Sequence, residues 1–81
     1  MTGTDDDALG RLRKRSITIA GHRTSVSLEE IFWRALADQA AAEGRSLAKL
    51  IAEVDRHRAG NLSSALRVHA AVWLRDRETP G

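Results

Sequence analysis

The sequence has no cysteine among its 81 residues, which excludes disulfides and thiolate metal sites. No stretch approaches the ~20 apolar residues of a membrane-spanning helix. His22, His57 and His69 stand at no ligand spacing such as H-x-x-x-H, so neither a metal nor a cofactor is expected. A Gly-rich phosphate loop, an H-E-x-x-H pair, an internal repeat and a low-complexity segment are all missing. The opening "MTGTDDDALG" is acidic and polar, unlike a signal peptide. A cytoplasmic location is the expectation, and zero cysteine is compatible with it. A single domain of this length is marginal alone. With disulfides and metals gone, oligomerisation is the remaining source of extra core.

Catalytic groups are also scarce. The carboxylates fall mostly on the polar faces of predicted helices, where solvating charges belong. His69 lies inside an apolar helical run and reads as a packed histidine. Ser63 and Ser64 lack a glycine elbow and read as helix-capping residues. An enzyme is therefore not expected.

Charge is present, and unevenly placed. The overall net is +2, but Asp5, Asp6 and Asp7 crowd the start. Residues 11–23 carry Arg11, Arg13, Lys14, Arg15 and Arg23 with no acid among them. Residues 11–75 hold twelve Lys and Arg against six acids, a net +6. That balance favours a polyanionic partner.

Hydrophobic periodicity divides the chain. Residues 1–14 read as a disordered arm, first acidic, then basic. "RSITIAGHRTSVSL", residues 15–28, holds two alternating runs. Ile17 and Ile19 share one face of the first, with Ser16 and Thr18 opposite. Thr24, Val26 and Leu28 share one face of the second, with Arg23, Ser25 and Ser27 opposite. The runs form either a hairpin around Gly21 or one bent strand with a glycine bulge. The period then changes to three and four. A helix is predicted from about Glu29 to Glu43, with Ser27 as N-cap and a stripe of Leu28, Ile31, Phe32, Ala35, Leu36 and Ala40. Trp33 falls off that stripe and is either exposed or buried by another element. Gly44 ends the helix, and Ser46 caps a second one from Leu47 to about His57, with Leu50, Ile51 and Val54 inward. "RAGN", residues 58–61, breaks the pattern. A third helix follows from Leu62 to about Arg75, capped by Asn61 or Ser63. It is apolar on most sides, which calls for burial on more than one face and again suggests a dimer.

A lone strand leaves backbone groups unpaired along its edges. Pairing Arg23–Leu28 with its own copy across a twofold axis satisfies one edge. It also lines the outer face with Arg23, Ser25 and Ser27 from both chains. A two-stranded ribbon fits the B-DNA major groove, where Arg and Ser side chains can bond base edges.

These residues carry a resemblance. "RTSVSLEEIFWRALADQAAAEGRSLAKLIAEV" resembles the ribbon-helix-helix (Arc/MetJ/CopG) superfamily of DNA-binding proteins. The shared features are a basic-polar-apolar-polar-apolar strand, Glu29-Glu30 opening a helix, the Gly44-Arg45-Ser46 turn, and Leu47-Ala48-Lys49-Leu50-Ile51 in a second helix. The wider chain resembles a bacterial subgroup of small ribbon-helix-helix proteins. The resemblance implies a mostly α fold with a short N-terminal β ribbon, forming an intertwined homodimer with a two-stranded antiparallel intersubunit sheet. It implies double-stranded DNA as partner and a transcriptional repressor as function. Arg23, Ser25 and Ser27 would read bases. Arg45, Ser46, Leu47, Lys49, Arg13, Lys14 and Arg15 would contact phosphates. Val26, Leu28, Ile31, Phe32, Leu36, Leu50, Ile51 and Val54 would form the dimer core. The ribbon-helix-helix domain is placed at residues 15–58, an additional helix at 59–75 and a polar tail at 76–81. The alternative function is a protein-binding adaptor or antitoxin whose partner sits on the C-terminal helix. The "RSITI" run would either extend the ribbon or compete for it.

Overall fold

The computed structural model describes residues 7–78. Two strands, β1 (Leu12–Ile19) and β2 (His22–Glu29), precede three helices, α1 (Glu30–Ala42), α2 (Leu47–His57) and α3 (Leu62–Glu78).

The strands pair antiparallel as a hairpin, with Ile19 opposite His22 and Leu12 opposite Glu29. Ala20 and Gly21 form the two-residue turn, both with positive φ (51° and 84°). That backbone matches the right-handed twist of the flanking strands. The partner of β2 is thus β1 of the same chain, where alternation in Arg23–Leu28 alone had pointed to a second copy. Closing a two-residue turn loses far less chain entropy than recruiting another molecule. Of the two readings of residues 15–28, the hairpin is the one adopted. The strand also starts earlier than expected, so Arg13 and Lys14 belong to the sheet rather than to an arm. The expectation for residues 1–6 lies outside the described residues.

Directly paired residues share a face of a sheet. Ile17, Ile19, Val26 and Leu28 point to the helices and are buried. They join Trp33, Ala35, Leu36, Leu50, Ile51, Leu66 and Ala70 in one core. Leu28, Leu36, Leu50, Ile51 and Leu66 are fully buried, each a gain of about 1.5–3 kcal/mol over exposure. Val26, Leu28, Leu36, Leu50 and Ile51, expected in a dimer core, are therefore buried within one chain. β1 and α3 supply the cover that a second copy was expected to give. Phe32 and Val54 pack partly against this core, and Ile31 stays 37% exposed.

Strand passes into helix without a loop. The Glu30 N–H donates to the Arg11 carbonyl at 2.8 Å. Ser27 lies in β2, and Glu29 takes the cap position without a side-chain cap bond. The expected Ser27 cap is thus absent, because the strand runs through to the helix. Glu29 instead accepts a bond from Arg67 of α3 at 2.8 Å. At the other end Gly44 adopts φ 68°. Arg45 N–H reaches the Ala40 carbonyl at 3.0 Å and Gly44 N–H reaches that of Ala41 at 3.2 Å. This paired closure is the Schellman arrangement that a left-handed glycine permits. Ser46 Oγ then accepts from Lys49 N–H at 3.1 Å and starts α2. Asn61 Oδ1, accepting from Ser64 N–H at 2.8 Å, starts α3.

α3 runs past Arg75, the expected end, to Glu78. Arg77 holds the extra turn: its guanidinium lies 4.6 Å from the Trp73 ring centroid and 3.8 Å from Asp38. Leu66 and Ala70 of α3 are fully buried, but Val68 is 63% exposed and Val72 39%.

Candidate nucleic-acid interface

Alternation puts Lys14, Ser16 and Thr18 of β1 on the face turned away from the helices. The register sets them opposite Ser27, Ser25 and Arg23 of β2. All six are exposed except the half-buried Ser27. Among the described residues, none of their side chains makes a hydrogen bond or ion pair. The same pairing leaves the outward N–H and C=O groups of these residues along the two free edges.

The other cations divide into engaged and unengaged sets. Arg13 and Arg15 lie on the helix-facing side of β1. Arg13 approaches Glu30 at 3.5 Å, and its carbonyl accepts from Trp33 Nε1–H at 3.0 Å. Arg15 lies 5.1 Å from the Trp33 ring centroid. Those contacts explain why Trp33, off the apolar stripe of α1, is nonetheless 1% exposed. The N-terminal half of β1 covers it, a contact between residues 20 apart that helical periodicity cannot register. Arg45 bridges Glu43 at 2.8 Å and Glu53 at 2.6 Å. The bond from Arg45 holds the Glu53 carboxyl below its ordinary value, and the bond from Gln39 does the same for Glu43. In return Glu53 raises Arg45. Arg67 lowers Glu29 through its side-chain bond. Lys14, Arg23 and Lys49 make no such pair among the described residues.

The predicted site residues thus fall in three places. Arg23, Ser25 and Ser27 lie together on the outer hairpin face, and Lys14 joins them rather than flanking Arg13 and Arg15. Arg13 and Arg15 sit behind that face, against α1. Arg45, Ser46, Leu47 and Lys49 form the start of α2, where Ser46 and Lys49 are exposed and Leu47 is half-buried. Among the described residues no group of acids and histidines could hold a metal ion, and no helix is long and apolar enough to cross a membrane.

A solved structure, that of an uncharacterized protein from Bordetella pertussis Tohama I, is similar, with a TM-score of 0.76 and 29% identity. The similarity covers 89% of this chain but 62% of that one, so this chain spans less than two thirds of that protein. No curated protein matches. The pattern of the ribbon-helix-helix domain matches residues 12–74, from the first residue of β1 deep into α3. By that match the chain belongs to the ribbon-helix-helix family, whose fold serves DNA-binding regulators.

Proposed function

We propose that the protein is a sequence-specific DNA-binding transcriptional repressor that sets the outer face of the β1–β2 hairpin into the major groove. The observation that carries this reading is the outer face itself: six polar side chains, two of them cationic, with no partner in the chain. A protein surface selected only for solubility rarely keeps Lys and Arg beside four hydroxyls with no acid to offset them, while base edges demand such donors and acceptors. Arg23, Ser25 and Ser27 read bases in this proposal. The N-terminus of α2, with Ser46 and Leu47, offers backbone N–H groups to a phosphate, and Lys49 adds charge there. Arg45 contributes less, because two carboxylates already hold it.

The working unit is a homodimer on a twofold-related site. Its support is the apolar surface left on α3 by Val68 and Val72, beside a groove of about 690 Å³ between α2 and α3. That same groove favours the second reading, an adaptor or antitoxin-type protein that holds a different protein there. Sedimentation of the purified chain separates them. A dimer that Val68→Asp dissociates supports the homodimer; a monomer with this surface open supports the adaptor.

Gel-shift titration tests the main reading. Binding should weaken steeply with salt, as several phosphates release counterions. Arg23→Ala should lower discrimination between sequences, whereas Lys49→Ala should weaken binding to all sequences alike. Specific binding that survives both Arg23→Ala and Ser25→Ala would remove the hairpin from the reading role.

A further inference from the structure

The pairing register exposes a correspondence that the linear sequence hides. Read from N to C, the outer residues of β1 are Lys14, Ser16 and Thr18, and those of β2 are Arg23, Ser25 and Ser27. Each set runs cation, serine, small hydroxyl. Because the strands are antiparallel, the sets are related by a half-turn about the Ser16–Ser25 pair. Lys14 and Arg23 occupy opposite corners of the face, Thr18 and Ser27 the other two. The inner face has no such relation, with Arg13 and Arg15 opposite Leu28 and Val26.

We propose that one chain carries both halves of a twofold reading surface, with Lys14, Ser16 and Thr18 of β1 as specificity-determining residues equal in role to those of β2. The proposal rests on the DNA-binding reading above and extends it to β1.

Dimensions support it. Paired strands lie about 4.8 Å apart, so the hairpin fits a major groove about 12 Å wide. Adding a second copy along the free edge of β2 would give four strands. These would span roughly 14 Å between the outermost backbones, before any side chain, and would not enter the same groove. Insertion therefore favours the hairpin of one chain as the complete ribbon. From Lys14 to Thr18 the face extends four residues, about 13 Å, which matches about four base steps at 3.4 Å each.

The chemistry at each position follows. Lys14 and Arg23, at diagonal corners, are placed for guanine O6 and N7 on opposite DNA strands. The central Ser16–Ser25 pair donates to or accepts from several bases. Thr18 adds a methyl that can pack on thymine where Ser27 cannot. A single chain should therefore select a short element that is nearly palindromic, its two ends differing where Lys replaces Arg and Thr replaces Ser.

Selection of bound sites from random double-stranded DNA, followed by sequencing, tests this on the full chain. The wild type should return a short quasi-palindrome. Lys14→Ala should relax preference at one end, by roughly tenfold at the affected base pair, and Arg23→Ala at the other. Thr18→Ala should loosen a thymine preference. Thermal melts of the same variants should match the wild type, since none of these side chains has a partner in the chain. If Lys14→Ala and Thr18→Ala leave the selected sequence unchanged while Arg23→Ala alters it, β1 does not read and the inference is overturned, although hairpin-mediated DNA binding stands. If the wild type selects no sequence, both fail together.

Discussion

The two faces of the hairpin follow opposite rules. On the inner face, every apolar side chain from Ile17 through Leu28 is packed against helices, and even the cations are occupied: Arg13 beside Glu30, Arg15 on Trp33. On the outer face no side chain from Lys14 to Ser27 has a partner among the described residues. The inner face is explained by stability. The outer face contributes nothing visible to stability, so its composition points to an external partner. Substitutions on the two faces should therefore separate folding from binding.

The largest effect is expected from Leu28→Ala. Leu28 is fully buried where β2 meets α1, and its truncation should cost about 2–5 kcal/mol. Chemical denaturation should show the loss, and DNA binding should fall with it because the ribbon unfolds. Arg23→Ala should do the reverse. Its melting temperature should stay within about a degree of wild type, while discrimination at the contacted base pair falls by about 1–3 kcal/mol. If Arg23→Ala unfolded the chain, the separation of the two faces would break.

Trp33→Phe comes next. It keeps the ring under Arg15 but removes the donor to the Arg13 carbonyl. A loss of about 1 kcal/mol is expected by denaturation. Ala20→Gly works in the other direction. A non-glycine residue in the left-handed region is disfavoured by about 1–2 kcal/mol, and part of that is returned when glycine relieves it. A gain of about half a kcal/mol or more should appear in the same assay, with DNA preference untouched.

The smallest effect concerns acid. Bonds from Arg67, Gln39 and Arg45 lower the carboxyls of Glu29, Glu43 and Glu53 below the ordinary 4.5. Groups lowered in the folded state add stability that is full above their unfolded value and disappears as pH falls through the folded one. Melting temperature should thus hold from neutral pH down to the ordinary glutamate range and decline only below it. All three groups are solvent-exposed, so the decline should be shallow.

Much of this arrangement is legible in the sequence. Period-two spacing puts Val26 and Leu28 inward and Arg23 and Ser25 outward, because a pleated strand leaves no other choice. Gly44 and Ser46 mark the α1–α2 turn to the residue, since a left-handed closure and an oxygen cap each need particular chemistry. The partner of β2 is less legible. Alternation fixes which face a residue occupies, not which strand it pairs with. The turn that decides the pairing puts Ala20, a residue with no preference for positive φ, where Asn or Gly would have signalled a hairpin. Arg13, Lys14 and Arg15 look like a solvated arm because a run of charge carries no periodic apolar signal. The near-repeat of Lys14-Ser16-Thr18 in Arg23-Ser25-Ser27 is too short to stand out until the register superimposes the two strands.

The central claim is that the outer hairpin face is the DNA-reading surface. It is tested most directly by following backbone amide signals of the isotopically labelled chain during titration with its selected DNA. The largest shifts are predicted at Lys14, Ser16, Thr18, Arg23, Ser25 and Ser27, with smaller ones at Ser46 to Lys49. Shifts concentrated on Val54, Val68 and Val72, with the hairpin unmoved, would contradict it.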